Sequence, residues 1–186
     1  MTVAFRHAAE LEAGGTAAYL RLVPGPARGK HAAGLLQLNA RGEPVEFTYS
    51  QLDEPESHLW EPKQLALRLQ VELCKALFQE AIRSPLLLLY LGAEVPDHVF
   101  GAELELTIPV GRVMLDAGAV TEPLEPAETD PGDSHLSWHP SQPPGGSAAG
   151  NLLAALRQRH LLREPFERIP RGLSYIWSGQ TTACLP

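Results

Sequence analysis

The stretch from Pro62 to Arg83 constrains the fold of this chain more than any other. Proline in a first helical turn costs nothing, because the N–H it lacks would be unpaired there anyway, and Ser84-Pro85 stops the pattern. Gln64, Arg68, Glu72, Lys75, Gln79 and Arg83 recur every three or four residues and draw one narrow polar stripe. Nearly everything else is apolar: Leu65, Leu67, Leu69, Val71, Leu73, Cys74, Leu77, Phe78 and Ile82. A surface helix needs one apolar face of about 100° or somewhat more. This helix has more, so it predicts cover on two sides, by a sheet and by a second element. The run Leu86 to Leu91 comes next, its only polar group the Tyr90 hydroxyl. It reads as a strand buried on both faces, in the middle of a sheet.

Shorter strands flank these two elements. Ala17 to Val23 alternates loosely and stops at Pro24-Gly25-Pro26; Ala32 to Asn39 is the next and ends in the turn Ala40-Arg41-Gly42-Glu43. Val45 to Gln51 puts Val45, Phe47 and Tyr49 on one side and Glu46, Thr48 and Ser50 on a wetter one. Glu103 to Ile108 alternates as a half-exposed strand, and Val110 to Leu115 continues it or pairs with it. The fold class is α+β, with α/β as the alternative: a mixed sheet in the order strand, strand, strand, helix, strand.

Charge and composition divide the chain. Residues 1–150 hold ten bases and twenty acids, 10 − 20 = −10, while residues 151–186 hold five arginines and two glutamates, 5 − 2 = +3. Between Thr121 and Gly150 lie six prolines and four glycines, a composition that buries too little apolar surface to offset its ordering entropy. The expected organisation is a core domain over 1–120, a flexible linker over 121–150 and a basic helical-aromatic arm over 151–186. The early residues Arg6, His7, Glu10 and Glu12 interrupt any signal-peptide core, and no apolar run approaches the roughly 20 residues that span a bilayer. A soluble, cytoplasmic protein is expected. Arginine outnumbers lysine twelve to three, which suits a GC-rich bacterial genome.

Constellations that could carry chemistry fail on spacing. Gly25-Pro26-Ala27-Arg28-Gly29-Lys30-His31 has three residues between its glycines where a phosphate loop needs four, and a strand comes after it instead of a helix. His135 and His139, near Asp130 and Asp133, sit in a proline-rich stretch that offers no rigid helix to hold a metal. Ser174 lacks the second glycine of a nucleophile elbow, Cys74 faces the apolar side of the helix, and Cys184 has no activating partner. No catalytic residue, metal ligand or cofactor site is therefore assigned. The element order resembles the opening of a ribonuclease H-like domain, whose nucleases hold two metal ions with several carboxylates, one of them an aspartate on the first strand. That resemblance implies a metal-dependent nuclease or other hydrolase. Here the first strand, Thr16-Ala17-Ala18-Tyr19-Leu20-Arg21-Leu22-Val23, carries no carboxylate, so the sheet is eroded in that respect. Glu94, with Asp97 or Asp116, would supply the remaining ligands.

The arm offers the better expectation. Asn151 is a candidate N-cap for a helix over Leu152 to Arg163, in which Leu152, Leu153, Leu156 and His160 share one side. Pro165 and Pro170 break the segment beyond that helix, and Leu173, Tyr175, Ile176 and Trp177 form an apolar-aromatic cluster. Such an arm either folds back as the second cover of the central helix or docks on another chain. The expected function is that of a non-catalytic accessory or adaptor subunit of a larger bacterial-type protein complex. Trp138, Arg157, Arg159, Arg163, Tyr175 and Trp177 are the expected partner-binding residues, with a larger protein as the favoured partner and nucleic acid, through the arm, as the less favoured one. No membrane partner is expected.

Overall fold

The computed structural model describes residues 1–5, 14–55, 60–96, 99–114 and 136–178. Its strands are β1 Thr2–Ala4, β2 Ala17–Pro24, β3 Lys30–Leu38, β4 Pro44–Asp53, β5 Leu87–Leu91, β6 Val110–Val113 and β7 Leu136–His139. Its helices are α1 Pro62–Glu80, α2 Ala148–Gln158 and α3 Glu164–Trp177, and one π-helical turn covers Val99–Glu103. The strands form a single mixed sheet of seven in the order β1-β4-β3-β2-β5-β6-β7. Only β2–β5 and β5–β6 are parallel pairs. The α+β architecture and the order strand, strand, strand, helix, strand are present as β2, β3, β4, α1 and β5. No helix among the described residues is long and apolar enough to cross a membrane.

All five residues of β5 are buried. Leu87, Leu89 and Leu91 join an apolar cluster on one face, Leu88 and Tyr90 a second cluster on the other. Burying one such leucine stabilises the fold by about 1.5–3 kcal/mol, so neither face can be left open. On the second face lie Leu73, Cys74 and Leu77 of α1 together with Val95, Val99 and Phe100, so the second cover of the central helix comes from the segment after β5. The arm does not supply it. Leu152, Leu156, Phe166, Ile169 and Leu173 cover the opposite face of the sheet, against Tyr19, Leu36 and Leu89. Gly34 makes the close approach possible, since a Cβ there would stand 2.5 Å from Ile169 Cγ2.

Several expectations are corrected by backbone hydrogen bonding. Helix α1 ends at Glu80 and not at Arg83, because the buried Glu46 Oε1 accepts from Ile82 N at 2.9 Å and draws that N–H out of the helix. The wetter side of β4 is accordingly polar without being wet, and Glu46 and Thr48 are fully buried there. Glu103 to Ile108 keeps its alternation of burial, Leu104, Leu106 and Ile108 packing on the second cluster, but Glu103 ends the π-helical turn, Leu106 N donates to Leu104 O at 3.0 Å, and none of these residues pairs in the sheet. The linker expectation fails for its described part. Leu136–His139 pairs with β6, and Ala148–Gly150 already belongs to α2; residues 121–135 lie outside the described residues. Ser147, not Asn151, caps α2, its Oγ accepting from Gly150 N at 3.0 Å. Pro165 lies in the first turn of α3, and Pro170 sits inside the helix without ending it.

Candidate functional site

In an open sheet with parallel strands, ligands bind outside the carboxyl ends where neighbouring strands send their connections in opposite directions. Here that point lies between β2 and β5, since β2 continues to β3 on one side and β5 to β6 on the other. Arg21 and Glu94 occupy it. Arg21 Nε donates to Glu94 Oε1 at 2.7 Å, its Nη2 lies 2.7 Å from the same oxygen, and Leu22 N donates to Oε2 at 3.0 Å. Gln70 Nε2 of α1 donates to the Glu94 carbonyl at 3.0 Å and fixes the loop. The two side chains are only 17% and 18% exposed, so the pair is shielded enough for its geometry to count.

Arg21 reaches the arm as well. Its Nη1 donates to the Phe166 carbonyl at 3.3 Å and lies 3.9 Å from Glu167 Oε1. The Phe166 carbonyl is the one that residue 170 would normally bond, but Pro170 has no N–H to give. One guanidinium thus neutralises the carboxylate after β5 and satisfies the carbonyl that a mid-helix proline orphans. In the sequence, the arginine inside the apolar run Tyr19-Leu20-Arg21-Leu22-Val23 is the mark of this site, a charge that a buried strand keeps only beside a partner.

Beside this pair runs a cleft of about 460 Å³ between the ends of β2 and β3 and the first half of α1, floored by Leu22, Leu69 and Leu73. Lys30 and His31 on its rim are held by neighbours, Lys30 Nζ 3.0 Å from Asp53 and His31 Nε2 3.7 Å from Glu54. The turn leading into it is a hairpin, closed by Gly25 N donating to Lys30 O at 2.8 Å, with Gly29 at φ 74° and β3 directly after it.

A metal centre does not fit these residues. Strand β2 contributes a cation, Arg21, and Glu94 spends one oxygen on that cation and the other on a backbone N–H. No group of three His, Cys, Asp or Glu able to hold a metal ion occurs among the described residues. Asp97, Asp116, Asp130, Asp133 and His135 lie outside them, while His139 is exposed on edge strand β7. Ser174 is exposed in the last turn of α3. Cys74 is fully buried, and burial pushes its thiol up to about 12, which leaves it protonated and unreactive at neutral pH. Cys184 lies outside the described residues.

The expected partner-binding residues do not form one patch. Trp138 stands on β7 opposite Gly111, half-buried against the arm-side cluster. Tyr175 lies towards the other edge of the sheet, lining an apolar hollow of about 240 Å³ with Val3, Phe5 and Phe47. Trp177 is half-buried on the same cluster as Trp138. Arg157 is half-buried on α2, whereas Arg159 and Arg163 are exposed on the turn between α2 and α3. His160, expected on the packed side, is exposed in that turn at φ 56°. It holds the left-handed position of a Schellman ending, with His160 N donating to Arg157 O and Leu161 N to Leu156 O, both at 2.9 Å.

No family model matches the chain, and no curated protein matches it in sequence. Solved structures similar to part of it include two endonucleases V. The endonuclease V of Streptomyces avermitilis is 19% identical with a TM-score of 0.41, over 54% of this chain and 45% of that one. The endonuclease V of Bacillus subtilis is 16% identical with a TM-score of 0.38, over 54% and 44%. This chain spans less than half the length of either.

Proposed function

We propose that this chain is a non-catalytic accessory subunit, a body that holds other components in a larger bacterial-type protein complex and carries out no reaction of its own. The observation that carries this reading is Arg21, which stands on the first core strand and occupies the carboxylate of Glu94. A hydrolase on this sheet would need several converging oxygens to hold hard cations. A guanidinium at the strand end repels such cations, takes the shielded carboxylate of Glu94 and lies 3.9 Å from that of Glu167. Among the described residues, the candidate nucleophiles that the sequence offered are a buried thiol, Cys74, and an exposed helical serine, Ser174.

Calorimetric titration of the full chain with Mn²⁺ and with Mg²⁺ tests the reading. No saturable heat is expected at metal concentrations up to about 1 mM, against the micromolar-to-millimolar affinities of carboxylate sites. Saturable binding that disappears in Glu94→Gln would overturn it. Affinity purification of the intact chain, with mass spectrometry of the eluate, should return a stoichiometric companion.

A further inference from the structure

We propose that the α2–α3 turn and the tip of the β3–β4 hairpin together form a docking site for the phosphate backbone of a nucleic acid. This rests on the non-catalytic reading only in that the bound strand is held and left uncut. The apolar residues of the arm are already used at home: Leu152, Leu156, Leu161, Phe166, Ile169 and Leu173 are all buried against the sheet. A protein interface is built on exposed aromatic and aliphatic anchors, and the arm has few left to offer. Among the described residues the exposed large apolar side chains are Met1, Trp60, Ile82 and Met114. None belongs to the arm, although the Met114 carbonyl accepts from Arg163 Nη2 at 3.5 Å.

What the arm does turn outward is cationic. Arg159, His160 and Arg163 are exposed on the turn, on either side of Leu161. Leu161 in turn lies against the hairpin tip, since a Cβ on Gly42 would meet its Cδ1 at 2.6 Å. That contact brings in the exposed Arg41, distant in sequence, and Arg168, whose Nη1 donates to Gly42 O at 2.8 Å. Of the local acids, Glu164 pairs with Arg168, its Oε1 accepting from Arg168 Nε at 2.9 Å, and Glu43 keeps its charge while its Oε2 accepts from Asn39 Nδ2 at 2.7 Å; Arg41, Arg159, Arg163 and Arg168 outnumber these two acids by two. Arg159 and Arg41 make no ion pair among the described residues. The arm carries five arginines and no lysine in a chain whose first 150 residues sum to −10, so the site is a local reversal of the molecule's field. Planar guanidinium forks match phosphate oxygens, and contacts of this kind position a strand without reading its sequence.

The test is fluorescence anisotropy of a labelled duplex of about 20 base pairs titrated with the full chain at about 50 and 200 mM salt. Binding in the roughly micromolar range that weakens steeply with salt is expected, with the duplex recovered intact on a gel. The double substitution Arg159→Ala/Arg163→Ala should lower the slope of log K against log salt by about 1.8, and Arg159→Glu/Arg163→Glu should weaken binding at least about tenfold. Arg28→Glu, at the opposite end of the β2–β3 pair, makes the same kind of charge reversal and should leave binding within about twofold. Circular dichroism checks that each variant is folded. Binding that the arm variants leave unchanged, or its absence at low salt, would overturn the proposal. Displacement of the duplex by an equal charge of polyglutamate would overturn it in favour of an acidic protein. Salt-sensitive self-association lost in the same variants, without duplex binding, would replace the ligand by a second copy of the chain. A duplex that is bound through the arm but cut would leave the docking site standing and refute the non-catalytic reading.

Discussion

Replacing Arg21 by methionine, which keeps much of the volume and removes the charge, should destabilise the protein by about 3 kcal/mol. The figure is the sum of two losses. Removing one partner of a fully buried ion pair costs about 3–5 kcal/mol, but Glu94 retains 18% exposure and the Leu22 N–H bond, which pulls the penalty towards about 2 kcal/mol. The Phe166 carbonyl loses its donor, and Pro170 cannot replace it, which adds about 1 kcal/mol. For a chain of this size about 3 kcal/mol corresponds to a fall in Tm of about 6–12 °C. Urea denaturation of wild type, Arg21→Met, Glu94→Gln and the double variant completes a cycle, with an expected coupling of about 2 kcal/mol. The double variant should be more stable than Arg21→Met alone, because the stranded carboxylate is gone. A coupling below about 0.5 kcal/mol, with Arg21→Met as stable as wild type, would refute the assignment of Arg21 as the joint between sheet and arm.

Local geometry sets two further outcomes. His160→Gly should leave stability unchanged or raise it by up to about 1 kcal/mol in the same urea assay, because a left-handed residue costs about 1–2 kcal/mol unless it is glycine, whose own entropic cost is smaller; a loss above about 1 kcal/mol would mean the imidazole makes a stabilising contact. Cys74 keeps its proton in the folded state up to about 12, so between pH about 8.5 and 12 the unfolded chain has released a proton that the folded chain still holds, and stability falls by about 1.4 kcal/mol per pH unit over that window. From pH about 8 to 10, Cys74→Ala should therefore lose about 2 kcal/mol less than wild type, whatever it costs at neutral pH; parallel declines would show that the buried thiol is not a source of the alkaline loss.

The parts of the fold written as uninterrupted periods were legible. The polar stripe of α1 and the double burial of β5 each rest on a pattern repeated over several residues, and the turns between β2, β3 and β4 set the order of those three strands. Where the pattern was short or its partner distant, legibility ended. β7 is four residues long within proline- and glycine-rich surroundings, and composition outweighed its alternation of Leu136 and Trp138 with Ser137 and His139. Glu103 to Ile108 shows that alternation reports alternate burial, not membership of a ladder. The Arg21–Glu94 bond joins residues 73 positions apart, and the arm's choice of sheet face depends on space above Gly34, neither of which leaves a local trace.

The absence of a carboxylate on β2 and the presence of an arm across the sheet have a common physical basis. Arg21 faces Glu94 on one side and the Phe166 carbonyl and Glu167 on the other, all negative or partly negative. An aspartate in its place would leave three carboxylates, its own and those of Glu94 and Glu167, converging with an orphaned carbonyl, and α3 could not seat there with Pro170 in its middle. The arrangement that lets the arm close over Tyr19 and Leu36 is therefore incompatible with a ring of oxygens at the end of β2. The arm in turn is what covers Leu87, Leu89 and Leu91, the residues that the buried run places on that face. In this chain the guanidinium that pairs with Glu94 at the strand end also holds the helix that completes the core.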